Sequence, residues 1–209
     1  VKLHMNETGG YNREKVEYGY YLLTQKAGIE MMDCKLIEDK HFATLRYDRQ
    51  HGEKQHVLTA SGLTGWDYSK PENSSYERLF ELALGLKVPH KDIRELYRRM
   101  IFNVVFANTD DHLKNHSFLY DRANDSWNLG PAYDVTYPID ALHKFLNTAR
   151  ALSINGKRTN IVLDDVLLIA EAMAIKNPMK IIQEIQDVIP EWEKIAVALE
   201  VPEAVRISI

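Results

Sequence analysis

Cysteine is almost missing from this chain of 209 residues. Cys34 stands alone, which excludes an internal disulfide framework and fits a reducing, cytoplasmic setting. No run approaches the roughly 20 apolar residues that a membrane-spanning helix needs, and no signal peptide is visible. Positive charge is not in excess: 26 Lys and Arg against 30 Asp and Glu leave a net charge of −4. No basic field therefore draws the chain to nucleic acid, and direct nucleic-acid binding is not expected. Internal repeats and low-complexity tracts are also lacking. What is plentiful is apolar content, 45%, beside 27% charged residues. That is the composition of a folded chain with a core, long enough for one large domain or two small lobes.

Periodicity divides the chain into a small strand-bearing front and a helical back. Val1-Lys2-Leu3 reads as the end of a strand. Val16, Tyr20, Leu23 and Ala27 recur at helical spacing, with Gly28 placed as a terminator. Met31 to Ile37 and Phe42 to Tyr47 read as two strands around the turn Glu38-Asp39-Lys40-His41. From His51 to Ser75, glycine and proline punctuate a stretch that reads as loop. Ser74-Ser75-Tyr76-Glu77 has the form of a capping box and opens a helix to about Leu86. Pro89 precedes a second helix carrying an apolar stripe from Ile93 through Leu96, Tyr97, Met100 and Ile101 to Val104 and Val105. Ser117 to Tyr120 and Ser126 to Leu129 suggest a hairpin. An irregular span follows to about Asn160, in which Lys144, Arg150, Lys157 and Arg158 either face an acidic ligand or lie on a solvated loop. Three tail helices are expected. The first is capped by Asp164 or Asp165, with Leu167, Ala170, Met173 and Ala174 inward; Asn177-Pro178 and Pro190 open the others.

The chemistry concentrates between Ala107 and Asp134. Asp110 and Asn115 lie five residues apart in what reads as a loop after the long helix, and Asp134 follows beyond the hairpin. Phosphoryl transfer needs a carboxylate near the acceptor hydroxyl and two oxygen ligands for a hard divalent cation, and protein kinases space a catalytic-loop Asp and Asn in this way. The Asp-x4-Asn pair alone is a weak signal, because loops are rich in both residues. His112 and His116, at i and i+4, offer a zinc pair as the alternative. No cysteine or further histidine lies near them in sequence, so hydrogen bonding within the loop or to a nucleotide is the better reading of His112.

The longer string Thr109-Asp110-Asp111-His112-Leu113-Lys114-Asn115, followed by Pro131-Ala132-Tyr133-Asp134, resembles the HipA family. These are serine/threonine kinases that act as toxins in bacterial toxin–antitoxin pairs, with a Thr-Asp-x-His-x-Lys-Asn loop and a later Tyr-Asp. The resemblance runs from Lys2 to roughly Leu199 and covers the kinase core of that family, not its N-terminal part. It implies an α+β, protein-kinase-like fold. Residues 1–48 would form a partial, incomplete β-containing lobe with the hinge, and residues 49–209 a larger helical lobe bearing the catalytic and metal-binding loops. It implies ATP and Mg2+ as cofactors, Asp110 as catalytic base, and Asn115 and Asp134 as metal ligands. Lys2 would contact the nucleotide phosphates and Glu17 would pair with it; read alone, the two are a terminal lysine and a solvated helix charge. Arg46-Tyr47-Asp48-Arg49 resembles the segment linking the lobes, which makes Leu45, Arg46 and Tyr47 candidates for contact with adenine. A family member has an acidic residue where Leu45 stands, a change that a main-chain contact survives and a side-chain contact does not. His112 and Lys114 fall in a nucleotide-contacting segment, where Lys114 either neutralises the transferring phosphate or serves as a surface lysine. Tyr133 is a wall of the nucleotide pocket or a packing aromatic. Asp111 replaces a usual glycine and sets a second carboxylate beside Asp110, which raises the proton affinity of one of them.

No glycine-rich phosphate loop is recognisable, since Gly9-Gly10 follows Lys2 and lacks the required order. The family's autophosphorylated loop and N-terminal subdomain would precede Lys2. Two readings follow. In the first, the chain is a toxin kinase core that phosphorylates a Ser or Thr hydroxyl of a protein, with an aminoacyl-tRNA synthetase as a family-level substrate and a HipB-like DNA-binding antitoxin as partner. In the second, it is a catalytically weak nucleotide- or partner-binding module. The full Asp110, Asn115 and Asp134 set favours the first. The missing phosphate loop favours the second for the isolated chain, which is expected to need an N-terminal segment, covalent or supplied separately, for full activity.

Overall fold

Asn12 starts the first helix, α1 (Arg13–Lys26), by accepting the Lys15 N–H on its side chain at 2.9 Å, a cap that satisfies one donor left open at a helix start. The computed structural model describes residues 1–4, 11–50, 52–67, 70, 73–138 and 149–207; Gly9, Gly10 and Lys144 lie outside them. Val16, Tyr20 and Leu23 turn inward from α1, and Gly28 follows its end in the left-handed region at φ +65°.

Two antiparallel strands come next, β1 (Cys34–Ile37) and β2 (His41–Thr44), in the register Cys34 to Thr44. Both are shorter than their apolar content suggests, and Glu38 and Asp39 make the turn at positive φ. Lys2 lies along the other side of β2. Its N–H donates to the Phe42 carbonyl at 2.7 Å, and the Phe42 N–H returns to Lys2 at 3.2 Å.

The stretch expected as loop after residue 51 is instead structured. Around it the chain forms β3 (Arg49–Gln50), β4 (Glu53–Lys54), β5 (His56–Thr59) and α2 (Ala60–Thr64). Glycine-rich punctuation hides these strands because β5 takes its partner from far along the chain. It pairs with β6 (Ser117–Asp121), which pairs with β7 (Ser126–Leu129), in a three-stranded antiparallel sheet. Helix α3 (Tyr76–Gly85) is capped by Ser75, whose hydroxyl accepts the Arg78 N–H at 3.2 Å. Ser74 instead donates to the Lys70 carbonyl, and Glu77 accepts from the Asn155 N–H at 2.6 Å. The expected capping box is therefore a single serine cap, its glutamate drawn away by a distant turn.

Helix α4 (His90–Val105) runs through the centre and buries more than a stripe: Arg99, Phe102 and Asn103 are enclosed along with Ile93, Leu96, Tyr97 and Met100. Four tail helices follow, α5 (Leu163–Ala172), α6 (Pro178–Gln186), α7 (Ile189–Ala198) and the short α8 (Glu203–Arg206). In α5 the buried apolar residues are Val166, Ile169 and Ala170, while Leu167 is only half-buried and Ala174 lies exposed beyond the helix. Val166 through Ile169 is continuously apolar, so periodicity alone does not choose the inward face. Neither Asp164 nor Asp165 occupies the cap position; Asp165 reaches back from the first turn to the Val162 N–H at 2.9 Å. Pro178 opens α6 and Pro190 sits in the first turn of α7, as expected.

One hydrophobic cluster crosses the expected lobe boundary. Tyr20 of α1 meets Phe102, Phe106 and Trp192 edge-on and donates its hydroxyl to the Phe106 carbonyl at 2.6 Å. Among the described residues, no helix is long and apolar enough to cross a membrane.

Candidate active site

The loop from Ala107 to His116 leaves the C-terminal end of α4, and the rigid helix fixes where it begins. Asp110 stands outward on it, its side chain 62% exposed, with His112 Nε2 3.8 Å from its carboxylate. Partial burial in the cleft raises the Asp110 pKa. His112 opposes that rise, and Asp134 and then Asp111 add to it. A carboxylate shifted in this direction is a better proton acceptor near neutral pH. A short 3-10 turn (Leu113–Asn115) follows, and Asn115 Nδ2 donates to the Asp110 carbonyl at 2.9 Å. That bond uses the amide nitrogen of Asn115 and not its side-chain oxygen.

Asp134 comes back to this loop through the β6–β7 hairpin. Gly130 permits the return: its N–H donates to the Ser117 carbonyl at 2.8 Å, and a Cβ there would lie 2.5 Å from the Ser117 hydroxyl. Ala132 then donates to the Glu30 carbonyl at 2.8 Å, which ties the loop to the segment after α1. Arg99 reinforces the tie. Its guanidinium donates to Gly130 O at 2.8 Å, to Glu95 Oε1 at 2.8 Å and to Glu30 O at 3.4 Å. Asp134 itself takes a left-handed conformation at φ +56° and borders, with Asn115, one small internal space. Carboxylate and amide oxygens suit a hard cation such as magnesium. Among the described residues no group of three or more His, Cys, Asp or Glu side chains is placed to hold a metal. His116, one of the two histidines considered for zinc, is buried beneath the loop. There burial, reinforced by Arg99, holds its pKa down to about 3, so its ring stays neutral.

Lys2 closes the constellation. Its ammonium donates to Glu17 Oε1 at 2.8 Å and also to Asp134 Oδ1. Burial pulls the Lys2 pKa down, but Glu17 and Asp134 outweigh it and the net shift is upward, so the lysine is charged. Burial pushes the Glu17 carboxyl up, and Lys2 only partly reverses this. The lysine and the helix charge are thus one ion-pair relay across the cleft, linking α1, the edge beside β2 and the Asp134 loop.

The hinge candidates separate. The Leu45 N–H already donates to the Asp33 carbonyl at 2.9 Å and the residue is 59% exposed. Arg46 points outward to grip Asp48. Tyr47 turns inward: its ring stacks on Tyr133 with centroids 5.8 Å apart, and its hydroxyl meets Ser117 Oγ at 2.9 Å. Tyr133 donates to the Lys114 carbonyl at 2.6 Å, so it braces the loop while facing Tyr47. A cleft of about 560 Å3 opens at the Lys2–Glu17 pair and is bordered also by Thr109, Asp110 and Arg150. The structure thus brings together Lys2, Glu17, Asp110, Asn115 and Asp134, with Tyr47 and Tyr133 packed behind Lys114.

Sequence reasoning missed two supports. Asp111 does add to the rise of the Asp110 pKa, as expected, but it is also a buried anchor, and Arg150 is not a loop charge but its buried partner, at 2.8 Å. Lys157 likewise grips Asp165 at 2.8 Å. The signal for the first pair was present in the aspartate standing where glycine is usual; nothing local pointed to Arg150 or Arg99.

Solved structures are similar in fold. The chain matches the Shewanella oneidensis HipA, solved with HipB and operator DNA, at a TM-score of 0.76 and 18% identity, covering 97% of this chain and 54% of that one. It also matches the Helicobacter pylori proinflammatory kinase CtkA at a TM-score of 0.55 and 13% identity, covering 88% of this chain and 77% of that one. The mixed α and β, kinase-like fold expected from sequence is the one found. Among curated proteins, one from Sinorhizobium fredii, provisionally named a kinase, Y4dM, is 31% identical over 101 residues, 47% of this chain and 24% of that protein. One from Haemophilus influenzae, also provisionally named a kinase, is 27% identical over 179 residues, 74% of this chain and 51% of that protein. The chain thus spans about half the length of these relatives or less. The model of the HipA-like C-terminal domain matches residues 1–192, nearly the whole chain, and the chain belongs to that family.

Proposed function

We propose that the chain is the catalytic core of a HipA-like toxin kinase, transferring the γ-phosphoryl group of ATP to a Ser or Thr hydroxyl of a protein in a magnesium-dependent reaction. The observation that carries this reading is that Asp110 and the Glu17–Lys2 pair border one cleft, with Asp134 bonded to Lys2 and Asn115 to the Asp110 carbonyl. In the transfer, the acceptor hydroxyl oxygen bonds to phosphorus as the bond to ADP breaks, and Asp110 takes the hydroxyl proton. Asn115 and Asp134 would hold magnesium, which when bound offsets the negative charge of the phosphates. Lys2, kept charged and aimed by Glu17, meets phosphate oxygens. Main-chain groups of Arg46 and Tyr47 face the adenine, and His112 and Lys114 contact the nucleotide.

The likeness to a HipA solved with its partner supports a DNA-binding antitoxin for this protein too, and an aminoacyl-tRNA synthetase is the substrate class that the family suggests. A second reading, a nucleotide-binding module without turnover, draws support from Lys2, whose charge is already committed to Glu17 and Asp134 while its side chain stays 50% exposed. Calorimetric titration with ATP, with and without magnesium, on the parent and on Asn115→Ala and Asp134→Ala separates these ideas. Both variants should lose affinity about tenfold or more for Mg-ATP and keep the parent's affinity for metal-free ATP. Equal losses in both conditions would remove the metal role from these two residues. Mg-ATP binding without any phosphate transfer would leave the module.

A further inference from the structure

We propose that Asp111 and Arg150 are positioning residues, a buried ion pair that aims the Asp110 carboxylate at the acceptor hydroxyl. The inference rests on the kinase reading above. Asp110 is the exposed residue in the middle of a loop that is held on both sides. Before it, the Thr109 carbonyl accepts the Ala151 N–H at 2.7 Å. After it, Asp111 is wholly enclosed: its Oδ2 accepts from Arg150 and from the Tyr76 hydroxyl, each at 2.8 Å, and its Oδ1 accepts the Leu152 N–H at 3.2 Å. The Asp110 carbonyl itself is taken by Asn115. The peptides flanking Asp110 are therefore fixed by the segment from Arg150 to Leu152, which the chain reaches only after the Asp134 loop. The network continues outward from Tyr76 to Asn103 at 2.9 Å and from Asn103 to Asn108 at 3.0 Å, so α3 and α4 brace the same point.

Stability alone does not account for such a pair. Apolar residues of similar volume commonly replace a buried ion pair without loss, because withdrawing two charges from water offsets most of their attraction. A charged pair adds direction: Arg150 Nη2 donates to Asp111 Oδ2 at 2.8 Å and to the Asn108 carbonyl at 3.4 Å, and a charge-assisted hydrogen bond is about twice as strong as a neutral one. Directional hold is what a catalytic carboxylate needs, since a displacement of about 1 Å can lower turnover about a hundredfold.

The test uses the full-length protein and two variants. Asp111→Asn combined with Arg150→Met removes both charges together, so that no unpaired charge stays buried; Arg150→Lys keeps the charge and loses the planar guanidinium that reaches both Asp111 and the Asn108 carbonyl. Melting, Mg-ATP affinity and the kcat of phosphate transfer are measured for each. The double variant is expected to fold, to bind Mg-ATP within about threefold of the parent and to lose kcat on the order of a hundredfold, with Arg150→Lys in between. A kcat within twofold of the parent's in a folded variant would reduce the pair to packing. A parallel loss of Mg-ATP affinity and kcat would also overturn the proposal, because the pair would then hold the whole site. If the double variant does not fold, Arg150→Lys decides on the same readings. If the parent binds Mg-ATP but transfers nothing, the kinase reading fails by itself. The Asp110 carboxyl carbon resonance then reads positioning without turnover, and its coincidence in parent and variant would end this proposal.

Discussion

At the scale of single residues, Asp110 has few structural duties: it is exposed, and the bond that orders its neighbourhood runs through its carbonyl, not its carboxylate. Asp110→Asn should therefore leave the melting temperature within a degree or two, since exposed polar exchanges usually change stability by less than about 0.5 kcal/mol. If Asp110 is the proton acceptor of the proposed transfer, phosphate transfer should fall to background. Transfer by the variant at the parent's rate would remove Asp110 from the reaction. Gly130 behaves in the opposite way. It touches no substrate, yet a methyl group there would press on both the hydroxyl and the carbonyl of Ser117. Gly130→Ala should destabilise the protein by about 1–3 kcal/mol through overpacking, and it should disturb the Tyr47–Ser117 contact. Urea unfolding gives the first effect; unchanged stability would show that the hairpin mouth yields.

At the scale of elements, the structure fastens helix starts to distant turns. Asp165 in the first turn of α5 accepts from Val162 N–H, Asn155 Nδ2 and Lys157, and these bonds, led by Lys157, hold its pKa down to about 2. A carboxyl depressed in the folded state adds stability above its unfolded pKa, 3.8, and loses it as pH falls toward 2. Asp165→Asn should thus lower the urea midpoint by the same amount at pH 7 and pH 5, and the gap to the parent should narrow by pH 3. A gap that stays constant would mean that the contribution is not ionic. The elements also show what local patterning conveys. Helix α4 and the β6–β7 hairpin were legible because their apolar spacing and turn residues agree with their final structure. The β5 strand was not, because a four-residue strand carries little pattern and its partner is distant in sequence. The inward face of α5 was ambiguous for a different reason: four consecutive apolar residues fit more than one face.

At the scale of the whole molecule, α1 is shared property. It carries Glu17 to the cleft on one side and buries Tyr20 among Phe102, Phe106 and Trp192 on the other. The front of the chain therefore has no separate core, and unfolding should be a single transition in which near-ultraviolet and far-ultraviolet dichroism coincide. Tyr20→Ala should lower stability by about 3–5 kcal/mol and keep that coincidence. Two resolved transitions, with the helices of residues 163–198 surviving the first, would show that α1 folds apart from them.

Sequence alone determined the family of the chain and its kinase-like plan. Asp110, Asn115 and Asp134 stood out through the family resemblance of the strings around them, the Asp-x4-Asn spacing by itself being a weak signal. The helices were readable because amphipathic spacing repeats locally. Only the tertiary structure decided what holds those residues in place. Arg150 with Asp111, Arg99 with Gly130 and Glu30, and Lys2 with Glu17 and Asp134 join positions distant along the chain. A charge in sequence looks the same whether it will be solvated or buried. Its role is set by which partner the fold delivers, and burial makes an unmet charge costly enough that the partner matters.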